Sequence, residues 1–284
     1  MNILMKEIKL KMKILESIKG IGPDLLKISN NTPFEVTIDE WSIIKSYANQ
    51  IIKIGSEAEE NIKAFISSFQ ILKKCAVKWE ESIFLNIIKL SDYLYKFGME
   101  TVKVEYCKLK DILCSVQGMK PSEHDRLLFH KAILNCINEI ENIINLSSIV
   151  IEDLIDFSNS IENTYRECQQ YMYIRANDWI INIDSNSKMK NACGMDIVQQ
   201  TIQAVVELSL LMIKIHTPPL ADIQRFRGVW ASIREDLDYI DLIFNKEIQI
   251  DEPFIVSINI SVAISEWERV AMEAYDFSNK AKLL

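Results

Sequence analysis

The sequence predicts an all-α fold, an elongated antiparallel bundle of long, coiled-coil-like helices with a hairpin at its head. Two observations carry that prediction. Apolar residues recur every three or four positions for tens of residues at a stretch, and glycine and proline number only 7 and 6 in 284 residues. A β-rich chain needs frequent turns and would use more of both.

The first seam begins at Ile44 and passes through Ile51, Phe69, Leu72, Trp79, Ile83 and Leu94 to Phe97. Its fifteen steps cover 53 positions, or about 3.5 residues per turn, the period of a supercoiled helix. One helix of that extent would be roughly 80 Å long. After Gly98 the stripe Val102, Tyr106, Leu109, Leu113 and Val116 is offset by one residue, so a kinked continuation is expected.

A second seam runs from Ile133 to Ile183. Pro121 is expected in its first helical turn, with Glu123 and Asp125 facing the positive end of the helix dipole. The third, Val198 to Phe244, keeps phase through Pro218-Pro219, which predicts a bent helix or two nearly collinear ones. The last runs from Val256 to Ala281, after a turn at Asp251 to Pro253. Ile3 to Lys19 reads as a separate amphipathic helix, joined by the turn-rich linker from Gly20 to Phe34. Helices this long must lie antiparallel and bury their stripes on one another. The expected organisation is an N-terminal helix and linker (1–37), a tail and stalk bundle (38–170 and 217–284) and a head hairpin (171–216).

Apolar residues make up 49% of the chain and charged residues 25%, so there is ample material for a core. A net charge of −8 argues against a nucleic-acid partner, because phosphate binding needs a basic face. The six cysteines, Cys75, Cys107, Cys114, Cys136, Cys168 and Cys193, show no zinc-ligand spacing and read as small hydrophobes of a reducing compartment. Lysines at positions 6, 9, 11 and 13 interrupt the first twenty residues, so no cleavable signal peptide is read there. No run of about 18 apolar residues predicts a membrane span.

Chemistry-bearing constellations are sparse. His124 and His130 lie on different faces of a helix and read as surface residues, and His216 as an interior histidine. Glu235, Asp236, Asp238 and Asp241 form an acidic cluster without the glycine turn of a calcium loop, and read as a solvated helix face. No phosphate-cradling loop or nucleophile motif occurs. The chain is expected to be no enzyme and to carry no cofactor and no metal.

The stretch around Asp184 to Gly194 is more informative. Its ascending arm places Tyr171, Tyr173 and Trp179 beside Ile180, Ile181 and Ile183, making it apolar on more than one face. Tyrosine and tryptophan favour the membrane interface. The descending arm sets Gln200, Gln203, Glu207 and Lys214 on one side, as a pore-lining helix would need. The alternative is an ordinary bundle hairpin in a non-membrane coiled-coil scaffold or adaptor.

The two terminal helices carry W-x2-I-x2-D-L-x2-I (Trp230, Ile233, Asp236, Leu237, Ile240) and A-x3-W-x3-A-x5-F (Ala263, Trp267, Ala271, Phe277). This pattern, with the order of helices around it, resembles the cytolysin A-like α-helical pore-forming toxins, and among them the B-type component of the α-xenorhabdolysin binary toxins. The resemblance implies a secreted soluble monomer that joins an A-type partner subunit on target cell membrane lipid. There it would swing out its hairpin and form a cytolytic, haemolytic pore. It assigns Tyr171 to Ile215 to the head, and Trp230, Ile233, Leu237, Trp267 and Phe277 to the tail. The hairpin lacks an all-apolar helix, which suits an amphipathic pore-lining component.

Overall fold

The computed structural model describes residues 20–23, 34, 36–53, 66–182, 206, 217–246, 250, 254–255 and 258–284, with 66, 171–182 and 217–219 as backbone alone. Every regular element among them is a helix. In chain order these are α1 (Ile38–Lys53), α2 (Ile66–Lys78), a π segment (Trp79–Ile83), α3 (Phe84–Lys96), a second π segment (Phe97–Tyr106) and α4 (Cys107–Ser115). There follow α5 (Glu123–Asn182), α6 (Thr217–Asn245) and α7 (Ile260–Ala281). The all-α class is therefore as expected.

Local chemistry sets where these helices start. Thr37 and Glu40 form a capping box at α1: the Glu40 amide donates to Thr37 Oγ1 at 3.3 Å and the Thr37 amide to the Glu40 carboxylate at 2.7 Å. Ser122 and Asp125 repeat it at α5, with amide bonds of 3.0 and 3.1 Å. The expected place of Pro121 is thus corrected. It precedes the capping residue, where a missing N–H is harmless, while Glu123 and Asp125 do occupy the first turn. The double proline does not fall within the body of α6, and residues 207–216, where a collinear helix before it was expected, lie outside the described residues. Pro218 and Pro219 stand in the first turn of α6, whose amides need no helical partner, and no bend within α6 is required of them.

Two further expectations change. Ile44 to Phe97 is not one helix, because α1 packs side by side with α2. Trp41 and Trp79 have ring centroids 5.6 Å apart, whereas 38 residues along a helix would separate them by about 57 Å. Residues 54–65 lie outside the described residues. The one-residue offset after Gly98 coincides with the π segment Phe97–Tyr106, whose wider turns absorb an extra residue without ending the helix.

The chain divides into two compact units. One takes in residues 36–87, 149–222 and 284. Its core gathers Trp41, Trp79, Phe84 and Phe157, with Trp79 and Phe157 stacked at 5.3 Å. Thr164 on α5 donates to the Ser68 carbonyl of α2 at 3.0 Å, and Lys78 pairs with the buried Asp153. The other takes in residues 1–35, 88–148 and 223–283. There α7 lies against the second π segment, and Phe129 of α5 stacks on Phe244 of α6 at 3.9 Å. The amide of Gly118, at φ +76°, donates to the Ile250 carbonyl at 2.8 Å, and the Ile250 amide to Met119 at 3.1 Å. These bonds tie the loop before α5 to the segment after α6.

Candidate functional site

The tail motif converges on one aromatic cluster in the second unit. Trp230 of α6 stacks on Trp267 of α7 at 5.0 Å. Phe97 of the π segment presents its edge to both, at 4.9 and 5.1 Å. Phe226 and Tyr106 extend the cluster, and Phe34 joins it to Phe277 at 5.1 Å. Trp230, Ile233, Leu237, Trp267 and Phe277 are each at most 2% exposed. Stripe spacing puts them on facing sides of two helices, so burial follows from the 3.6-residue period.

A polar strap lies across this cluster. The Ile21 carbonyl accepts hydrogen bonds from Trp267 Nε1 at 2.9 Å and from the Tyr106 hydroxyl at 3.0 Å. The Gly20 amide donates to the Asp236 carboxylate at 3.0 Å. A Cβ on Gly22 would lie 3.6 Å from Cα of Ala263, so the strap is in ordinary van der Waals range of α7. Burial holds the Tyr106 phenol well above its ordinary pKa, so it remains a donor. Gly20 to Gly22 is therefore part of the core, not a linker. What the run supplies is the left-handed backbone of Gly20, at φ +108°, which periodicity does not weigh.

The acidic cluster also departs from a solvated face. Asp236 is 3% exposed and holds the strap. Asp241 accepts from Asn245 and lies 2.7 Å from His130 Nδ1, so His130 links α5 to α6 while His124 is exposed. Glu235 and Asp238 do face solvent. Burial keeps the thiols of Cys136 and Cys168 protonated at neutral pH, the latter with a pKa pushed up to about 12. The five described cysteines are free.

Among the described residues no cluster of three His, Cys, Asp or Glu could hold a metal ion, and no helix is long and apolar enough to cross a membrane. A cleft of about 310 Å³ opens between α5 and the end of the second π segment with α4, lined by residues that include Glu105, Lys108, Asp111, Leu128, Lys131 and Asn135. Its walls carry both signs of charge. Of the expected membrane-contacting residues, Tyr171, Tyr173, Trp179, Ile180 and Ile181 are described as backbone at the end of α5. Ile183, Gln200, Gln203, Glu207 and Lys214 lie outside the described residues, as do His216 and the expected helix Ile3 to Lys19.

No family model matches this chain, and no curated protein matches it. Among solved structures a Bacillus cereus HblL1 toxin component is similar, at 12% identity and a TM-score of 0.33, with 87% of this chain and 85% of that chain covered.

Proposed function

We propose that this chain is the soluble component of a bacterial α-helical pore-forming toxin that acts with a partner subunit at a target membrane. The observation that carries the reading is α5. It runs 60 residues without a break in its helical assignment, from its capping box to Asn182. The aromatic stretch beginning at Tyr171 lies at its far end. That stretch follows directly on the last described buried positions of the helix, Thr164 and Cys168. In lipid every backbone group must be paired, and a ring of amphipathic helices meets that condition while hiding its polar faces. On this reading Tyr171, Tyr173, Trp179, Ile180, Ile181 and Ile183 contact lipid. Gln200, Gln203, Glu207 and Lys214 line the pore, and the partner is an A-type subunit of the α-xenorhabdolysin kind.

The test is leakage from dye-loaded liposomes and red cells, with this chain alone and with the product of a neighbouring, similarly striped reading frame. Release that requires both chains supports the binary reading. No release under either condition, together with no lipid association at any concentration, favours a scaffold or adaptor instead.

A further inference from the structure

The strap at Gly20 to Gly22 is seated in a core without belonging to any helix. Residues 20–23 form a bend, whose buried side chains are Ile21 and Pro23. Three bonds from three separate elements hold its main chain. The Gly20 amide donates to Asp236 of α6, and the Ile21 carbonyl accepts from Trp267 of α7 and from Tyr106 of the second π segment. Every partner is a side chain, on an element whose backbone makes its own helical bonds. Breaking the three bonds therefore interrupts no helix.

The glycines also keep the strap from interlocking with its neighbours. A Cβ at Gly20 would meet nothing within 4 Å, and one at Gly22 would come no closer than 3.3 Å, to the carboxylate of Glu266. At Gly98, by contrast, the backbone of α7 stands 2.6 Å from such an atom. Phe34 fastens the chain to the same aromatic cluster at a separate point, with Phe226 and Phe277 at 5.5 and 5.1 Å. A strap that lifts away thus stays tethered, and its return is intramolecular. Segments with few buried contacts open locally at less cost than unfolding. Gly20 N–H and Ile21 C=O belong to adjacent residues, so neither can leave its partners far behind the other.

We propose that the Gly20–Gly22 strap is a latch, which lifts off Asp236, Trp267 and Tyr106 as one piece while the helices beneath it stay folded. Closed, it joins α6, α7 and the π segment at one buried point. Open, it leaves a carboxylate and two side-chain donors uncapped together. The inference holds whether or not the chain acts on membranes.

Native-state hydrogen exchange on the full chain, followed by NMR at rising urea below the unfolding transition, tests it. The Gly20 amide and the Trp267 indole N–H report the latch. The amides of Ile233 and Val270, buried positions inside α6 and α7, report the helices. The two latch protons should share one opening, at least about tenfold more frequent than that of the helix amides. It should hardly respond to urea, because a small opening exposes little surface, while the helix amides respond steeply. Tyr106→Phe leaves the Gly20 bond to Asp236 untouched, yet should speed Gly20 exchange about three- to tenfold. Gly20→Ala, held at φ +108°, should speed exchange of the Trp267 indole at least about fivefold. Latch protons that share the rate and urea slope of Ile233 and Val270 overturn the proposal, as does either variant if the proton it does not touch exchanges at the wild-type rate.

Discussion

Gly98 is the residue at which helix packing in the second unit is least forgiving. A Cβ built there would lie 2.6 Å from the Trp267 carbonyl oxygen and 2.8 Å from the Ala271 Cβ. Both obstacles belong to α7, one of them its backbone, so neither can turn away. Gly98→Ala should therefore cost about 2 kcal/mol or more. Gly228, on the exposed side of α6, meets nothing within 4 Å. There the same substitution should stabilise by up to about 1 kcal/mol through helix propensity. Urea denaturation midpoints check the pair, and equal effects would show that the close approach at Gly98 is not what the fold depends on. The Ile21 carbonyl gives a second residue-scale prediction. Tyr106→Phe or Trp267→Phe leaves it one donor, whereas the double variant leaves a buried acceptor with none. The double variant should be destabilised beyond the sum of the singles, by roughly 1 kcal/mol or more in a double-mutant cycle.

The capping boxes matter at the scale of elements, because they set where α1 and α5 start. Hydrogen bonds from Ser122 hold the Asp125 carboxyl below its ordinary pKa. A lowered folded-state pKa stabilises above the unfolded value of about 3.9, and that contribution disappears as pH falls through the folded value. Ser122→Ala should accordingly cost about 1 kcal/mol at neutral pH. The gap from wild type should narrow as pH drops below the ordinary carboxylate range, as urea titrations at a series of pH values would show. A gap that stayed constant with pH would mean that the box contributes nothing through charge. Seam phase made helices legible as elements but could not show where one ended. The hairpin of α1 and α2 keeps the same 3.5-residue stripe on both arms, and the π segment shifts the stripe without ending the helix. Only the contact of Trp41 with Trp79 separates one long helix from two short ones.

Across the whole molecule, the toxin reading divides the tryptophans by role. Trp267 is fully buried among Phe97, Trp230 and the strap, and Trp267→Ala should cost about 3–5 kcal/mol. Trp179→Ala should leave the thermal midpoint nearly unchanged and reduce leakage, because on that reading the side chain serves the membrane. Thermal melts and dye release on the same two preparations decide it. Equal destabilisation would make Trp179 an ordinary core residue.

The helical class and the buried stripes of α6 and α7 were determined by the sequence alone. A 3.6-residue period obliges Trp230, Ile233, Leu237, Trp267 and Phe277 onto inward faces whichever helices they meet. The hydrogen-bonding groups inside that core were decided only in three dimensions. Asp236 looks like one more acid on a polar helix and Ile21 like a linker residue, until the Gly20–Gly22 strap meets Asp236 and Trp267, each more than 200 positions away in sequence. Periodicity records which side of a helix is dry; it holds no record of which distant backbone atom comes to satisfy a buried polar group there.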